Sequence, residues 1–418
     1  MRLQITKPEI KKHRVELPSS KSQTHRALFL AAINRQPTTI LRASTCDDTL
    51  ATLRALKSLG ADFTELNFNK TSCRHPIGKI ISEEIDCRES GTTARLILPM
   101  CTAGDRPVLL DGAPGLRRRP FKPLLKALRQ LGGKLEETAE GLPLRIYPSQ
   151  LHGGNIEFGG IPSSQFISAL LLAAPLMSSP LEISCTQPPP SFPYIQQTIC
   201  LMRKAGLKLE ENPHTVWADN RPLSRPLTFR IEPDYSAVAF WGVLALITGM
   251  EIELPGVVRS GLQGDEVILD ILADVGGKIR TENRAVTISG EIVRPLDIDC
   301  RNTPDLAPAL AVLALFAPAP STLRHITHLR VKESNRIAAI QKNIEVLGGK
   351  SELVEQDLII RPARHYTPAV IDSFNDHRIA MSFAVAGTRI PGVVINQAEC
   401  VRKSYPNFWQ DFPWWREL

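Results

Sequence analysis

Leu59-Gly-Ala-Asp62, Leu131-Gly-Gly-Lys134, Ala205-Gly-Leu-Lys208, Val275-Gly-Gly-Lys278 and Leu347-Gly-Gly-Lys350 are five versions of one turn. Their first glycines, Gly60, Gly132, Gly206, Gly276 and Gly348, are spaced by 72, 74, 70 and 72 residues. At each, a helix-like run stops at the residue that most readily adopts the left-handed backbone of a helix C-terminus, and an extended segment follows. So regular a period means one folding unit used repeatedly.

A second series runs in step. Six mostly apolar segments begin near Ser22, Gly91, Ser164, Tyr235, Thr303 and Asp376. Each precedes a short strand-like run: Thr38–Leu41, Val108–Leu110, Leu181–Ser184, Glu251–Leu254, Ser321–Arg324 and Gly392–Ile395. The predicted unit is apolar helix, strand, amphipathic helix, glycine cap, strand. Six apolar helices against five capped ones imply a sixth unit cut short, with Tyr405–Trp414 as its remnant.

At 418 residues the chain exceeds one core and suits two domains of three units each. The Pro-rich stretch Pro222–Pro233 is the expected linker. No apolar run reaches the ~18–20 residues that span a bilayer. Met1–Arg14 alternates polar and apolar residues and lacks a signal peptide's apolar core. Eight scattered cysteines without Cys-x-x-Cys favour reduced, mostly buried thiols and a cytoplasmic protein. The 50 Lys and Arg exceed the 43 Asp and Glu, a formal charge of +7 that suits an anionic partner. Nucleic acid is disfavoured, because aromatics are only 6% and no recognition signature occurs.

Function concentrates where the copies differ. The apolar helices open with Pro18-Ser-Ser-Lys-Ser-Gln-Thr-His-Arg26, Glu89-Ser-Gly-Thr-Thr-Ala-Arg95, Ser163-Ser-Gln165, Asp234-Tyr-Ser236, Asn302-Thr-Pro-Asp305 and Asn375-Asp-His-Arg378. Each offers Ser, Thr, Asp or Asn as an N-cap, and for Asp234 capping alone is an adequate explanation. Capping does not explain Lys21, Arg26, Arg95 and Arg378, since the positive end of a helix disfavours cations there. Free backbone N–H groups and basic side chains, brought together, would form an anion site. Arg117-Arg-Arg119-Pro and Arg330-Val-Lys-Glu-Ser-Asn-Arg336 open amphipathic helices in the same way, and Arg119 is placed for phosphate or carboxylate contact.

Other chemistries are weak. Gly349-Lys-Ser351 mimics the tail of a phosphate-binding loop, but Ile344 replaces its leading glycine. No dinucleotide fingerprint or Gly-x-Ser-x-Gly elbow is present, and His325 with His328 lacks companion metal ligands.

The ordered motifs Pro18-Ser-Ser-Lys-Ser22, Ser90-Gly-Thr92 with Arg95, Arg119-Pro120, Ser163-Ser-Gln165, Pro193-Tyr194, Gln263-Gly-Asp265, Pro304-Asp305, Arg330-Val-Lys-Glu333 with Arg336, Asn375-Asp-His-Arg378, and Lys403 with Pro406 carry a resemblance. Over essentially its whole length the chain resembles the 3-phosphoshikimate 1-carboxyvinyltransferases, enolpyruvyl transferases of the shikimate pathway and aromatic amino acid biosynthesis, and the target family of glyphosate. The resemblance implies a two-domain inside-out α/β barrel of six repeated units, three per domain in pseudo-threefold arrangement. It implies an N-terminal domain over 19–228, a C-terminal domain of 1–18 plus 229–418, and an active site in the cleft between them.

The implied reaction joins shikimate 3-phosphate to phosphoenolpyruvate by addition and elimination, releasing phosphate. By the resemblance, Lys21, Ser22, Arg26, Ser163, Ser164, Gln165, Tyr194, Asp305 and Lys332 hold shikimate 3-phosphate. Lys21, Gly91, Arg95, Arg119, Gln165, Arg336, His377, Arg378 and Lys403 hold phosphoenolpyruvate. Catalysis falls to Lys21, Asp305, Glu333 and Lys403, with Asp305 as base toward the 5-hydroxyl and Glu333 serving the methylene proton. Neighbouring cations are expected to lower the pKa of both carboxylates. The bond broken is carbon to oxygen, so no metal or cofactor is expected; nor is any membrane or nucleic-acid partner, and the chain is expected to be a monomer. Glu89, His328 and Leu96 depart from the Asn, Asn and Pro common in the family.

The alternative is the UDP-N-acetylglucosamine enolpyruvyl transferase family. It places a reactive Cys in the loop matching Gly112–Arg119, and that loop here has none.

Overall fold

A computed structural model describes residues 1–137, 141–212 and 214–418. The chain divides into two compact units, Ser19–Glu232 and Met1–Pro18 with Pro233–Leu418. Each has its own apolar core and holds three four-stranded sheets.

The sixfold repeat is exact in its topology. In the second copy the chain runs through strand Glu84–Asp86, apolar helix Gly91–Cys101, strand Val108–Asp111, amphipathic helix Lys122–Gln130, and strands Lys134–Glu137 and Leu144–Tyr147. The first two strands pair in parallel and the rest antiparallel, with the last strand inserted between the second and the third. The other five sheets repeat this order. All five repeat glycines have positive φ, from 85° at Gly348 to 118° at Gly276, which explains their recurrence at one point of the unit.

The apolar helices Lys21–Ile33, Gly91–Cys101 and Gln165–Ala173 pack on one another inside one unit, and Tyr235–Thr248, Ala307–Leu315 and His377–Gly387 do so in the other. Nearly every residue in them is buried, as a helix without a polar stripe requires. The helices form the inside and the sheets the outside, which is the inside-out α/β barrel.

Two expectations are corrected. The sheet of the sixth unit is complete: strand Arg2–Ile5, from the other end of the chain, lies antiparallel between Val394–Asn396 and Trp415–Glu417. Its amphipathic helix is reduced to the turn Ala398–Lys403 and the short helix Phe408–Asp411. The proline-rich stretch is also more than a linker. Its segment Leu227–Arg230 is a strand parallel to Thr38–Leu41 in the first sheet, so the boundary falls after Glu232 rather than after residue 228.

Among the described residues no helix is long and apolar enough to cross a membrane, and no cluster of three His, Cys, Asp or Glu side chains is arranged to hold a metal ion.

Candidate active site

The fold delivers the start of every apolar helix to one end of its unit, and the unusual sequences lie there. In Ser19–Glu232, the Ser20 hydroxyl caps helix Lys21–Ile33 by accepting from the Gln23 amide at 3.4 Å. Lys21 follows at once and donates from Nζ to Asp48 Oδ2 at 2.9 Å. One turn on, Arg26 donates to the carbonyls of Ser22 at 3.0 Å and Tyr194 at 2.9 Å, and to Thr198 Oγ1 at 2.7 Å. Arg26 therefore locks the first helix to Phe192–Ala205 of the third unit. Burial lowers its pKa to about 10, which still leaves it charged at neutral pH.

The second and third helices are joined similarly. Ser90 Oγ caps Gly91–Cys101 through the Thr93 amide at 3.2 Å. Arg95 donates to Gln165 Oε1 at 2.6 Å and to the Pro120 carbonyl at 3.1 Å. Its guanidinium carbon is 5.4 Å from the ring centres of both Phe121 and Phe166, a cation–π sandwich that fixes its plane. Gln165 in turn donates to Thr92 Oγ1 at 2.9 Å, and its own amide is met by Ser163 Oγ at 3.3 Å. Ser164 is the N-cap residue of Gln165–Ala173 without a side-chain cap bond.

Of the basic run 117–119, Arg117 is spent on a surface pair with Asp111 and Arg118 is exposed. Arg119 alone is buried, and its Nη1 lies so close to Gly91 that any Cβ there would collide with it. A glycine at the helix start thus admits a guanidinium beside free backbone N–H groups, an arrangement suited to an anion. Glu89 folds over the turn Pro114–Arg117, where a Cβ on Gly115 would lie 2.7 Å from its Oε2.

In the other unit the site is an ion lattice. Arg336 opens helix Arg336–Val346 and donates from Nε to Asp376 Oδ2 at 2.9 Å, from Nη1 to Asp305 Oδ1 at 2.9 Å and from Nη2 to Glu333 Oε2 at 2.7 Å. Arg378 donates to the other Asp305 oxygen at 2.8 Å. Asp376 caps helix His377–Gly387 through the Arg378 amide at 2.9 Å and accepts from Ser334 Oγ at 3.1 Å. His377 is buried beside it. Lys403 ends the turn Ala398–Lys403 and donates from Nζ to the Asn375 carbonyl at 2.6 Å. In its unit it holds the place that Arg119 holds in the second, after a short turn between strand and amphipathic helix.

Asp305 does not cap its helix, which starts at Ala307 with Leu306 as N-cap. Burial disfavours its charge, but Arg378, Arg336 and Lys332 outweigh this and hold the carboxyl far below the usual range. Burial opposes the charge of Arg336 too, and Asp376, Glu333 and Asp305 reverse that, raising its pKa. Asp234 is the counter-example: it accepts from the Ser236 amide at 2.9 Å and its hydroxyl at 2.6 Å, the capping role expected for it. His328 Nδ1 lies 3.1 Å from the His325 carbonyl, and burial, followed by the charge of Lys332, lowers its pKa to about 3.

Two partners escaped the sequence. Asp48 reads as an ordinary acidic residue in the first turn of helix Asp47–Ser58, and Asp376 as a cap within a motif. Only their cross-chain pairings, to Lys21 and Arg336, reveal the second role.

A family model described as EPSP synthase (3-phosphoshikimate 1-carboxyvinyltransferase) matches residues 5–412. The chain is 37% identical over 411 residues to the 3-phosphoshikimate 1-carboxyvinyltransferase of Syntrophobacter fumaroxidans, covering 96% of each. It is 36% identical to that of Methanospirillum hungatei, covering 94% of each. Among solved structures, an EPSP synthase from Acinetobacter baumannii superposes with a TM-score of 0.81 at 24% identity, covering 99% of this chain and 97% of that one. The enolpyruvyl transferase NikO from Streptomyces tendae superposes with 0.78 at 17% identity, covering 98% and 96%. At such identities the structural likenesses speak for the fold.

Proposed function

Because this chain belongs to the 3-phosphoshikimate 1-carboxyvinyltransferase family, we infer that it transfers the enolpyruvyl group of phosphoenolpyruvate to the 5-hydroxyl of shikimate 3-phosphate and releases inorganic phosphate. The single observation that supports this best within the site is Asp305, a carboxylate held between the buried guanidiniums of Arg336 and Arg378. It combines a proton acceptor with two carboxylate-binding cations in one cluster.

The substrate contacts in this proposal are those the resemblance implies. Shikimate 3-phosphate is held by Lys21, Ser22, Ser163, Ser164, Gln165, Tyr194, Asp305 and Lys332, with Arg26 bracing Ser22 and Tyr194 through their carbonyls. Phosphoenolpyruvate is held by Lys21, the backbone at Gly91, Arg95, Arg119, Gln165, Arg336, His377, Arg378 and Lys403. The concentration of cations offsets repulsion between two phosphates and two carboxylates.

The 5-hydroxyl oxygen then bonds to the enol carbon while Asp305 accepts the hydroxyl proton. The methylene carbon gains a proton to become methyl, from the group of Glu333, Lys21 and Lys403. Phosphate departs with the carbon–oxygen electron pair, and one methyl proton returns to the group that donated it, which restores the double bond. The protein is proposed to act as a monomer in the cytoplasm.

The test is to mix the protein with both substrates and measure phosphate. Release that requires shikimate 3-phosphate is expected; silence with that substrate and activity with UDP-N-acetylglucosamine would assign the chain to the other enolpyruvyl transfer.

A further inference from the structure

The Asp305 carboxylate bridges two guanidiniums with one oxygen each, Oδ1 to Arg336 at 2.9 Å and Oδ2 to Arg378 at 2.8 Å. That is the geometry a substrate carboxylate would adopt on the same pair. We propose that Asp305 is an internal stand-in for the carboxylate of phosphoenolpyruvate, which on binding takes over Arg336 and Arg378 and thereby frees Asp305 to act as base. The inference rests on the proposed function and adds a coupling that the reaction itself does not require.

Three observations carry it. The first is the gradient of exposure: the Arg336 and Arg378 side chains are 1% and 4% exposed, and those of Asp305 and Glu333 are 21% and 20%. The carboxylates face outward with the cations beneath them, so an anion arriving from solvent meets Asp305 before it meets either arginine. The second is charge. Lys332, Arg336 and Arg378 are set against Asp305, Glu333 and Asp376, so the cluster balances, and one more carboxylate leaves it a negative charge in excess. Like charges in a partly desolvated cluster repel strongly enough to favour departure of one.

The third observation decides which one leaves. Asp376 is wholly buried and secured by Arg336, Ser334 and the Arg378 amide. Glu333 pairs with Arg336 at 2.7 Å. Asp305 bridges the two guanidiniums, one oxygen to each, and is partly open to solvent. Exchange at Asp305 replaces two charge-assisted bonds by two equivalent ones, so the affinity of phosphoenolpyruvate is reduced by the cost of displacing a resident ligand. In return the base is stripped of its guanidiniums when the enol carbon is in place. With shikimate 3-phosphate alone, Asp305 stays saturated and its basicity stays low.

The test is calorimetric binding of phosphoenolpyruvate alone to the full chain and to Asp305→Asn, Asp305→Glu and Glu333→Gln. Removing the resident charge should tighten binding about tenfold in Asp305→Asn, as expected for one partly exposed competing pair. Asp305→Glu, which retains a carboxylate, should stay near the wild-type value. Unchanged or weaker binding by a folded Asp305→Asn, or tightening confined to Glu333→Gln, would overturn the proposal.

Should Asp305→Asn not fold, a crystal structure of the wild-type protein with phosphoenolpyruvate decides. Both Asp305 oxygens are expected beyond about 4 Å from either guanidinium, the limit of an ion pair; their retention within that distance refutes the exchange. Phosphate release without tightening would count against the exchange alone. Tightening without release would count against the reaction alone.

Discussion

Lys21 Nζ and Asp48 Oδ2 are 2.9 Å apart, and their side chains are only 11% and 10% exposed. The direction of so enclosed a lysine is fixed by the carboxylate from the neighbouring helix. Asp48→Asn is therefore expected to cost about 2–4 kcal/mol of folding stability, since removing one member leaves the other uncompensated. Phosphate release should fall at least about tenfold. Denaturant unfolding and a phosphate assay check both; full turnover in Asp48→Asn would remove the pair from the machinery.

Gly91 and Arg119 make a second close relationship, in which a Cβ would strike the guanidinium. Gly91→Ala should displace Arg119 by a fraction of its own width. The KM for phosphoenolpyruvate is expected to rise about tenfold to a hundredfold, the usual cost of a misplaced contact, with the KM for shikimate 3-phosphate little changed. Steady-state kinetics with each substrate varied separately would show an equal rise in both if the placement of Arg119 is wrong.

Stability should fall in mild acid, and the sign follows from the histidines. His328 has a folded pKa of about 3 against an ordinary value of about 6.5. The unfolded chain takes up that proton as pH falls below about 6.5 while the folded protein does not, so stability is lost progressively down to about 3. His25, lowered by burial and then by Lys21 and Arg26, acts in the same direction. Asp305, with its pKa depressed, adds a loss only below about pH 4, where the unfolded carboxylate protonates. His328→Asn should recover at least about 1 kcal/mol of the loss between pH 7 and pH 5. Parallel unfolding curves for variant and wild type at both pH values would contradict this.

The N-terminal strand supplies a test of the fold. Leu3 is fully buried in the strand that completes the sixth sheet. Leu3→Ala is expected to cost about 2–4 kcal/mol of folding stability. Val354→Ala, at an exposed position, should stay within about 0.5 kcal/mol. Equal denaturation midpoints for the two variants would mean that Arg2–Ile5 is not a structural strand.

The helix starts and glycine turns were legible because both are local. A cap, a helix dipole and a residue with positive φ act over a few positions, so their residue types recur visibly in Ser20, Ser90, Asp234 and Gly276. The roles of Arg26 and Arg336 were less legible. Sequence marks both as cations for an anion, whereas the structure gives Arg26 two carbonyls to hold and Arg336 three carboxylates. Nothing within a few residues of either arginine distinguishes a guanidinium facing a ligand from one facing its own protein.

By itself the sequence determined the repeat, its six apolar helices and the end of each unit where chemistry gathers, since these follow from short-range backbone preference and hydrophobic period. Tertiary structure decided which charges meet and how the sixth sheet closes. Asp305 reaches Arg378 across 73 positions, and Arg2–Ile5 finds its partners at opposite ends of the chain's numbering. Such pairings depend on the packing of whole units, where burial removes water and makes the choice of partner count.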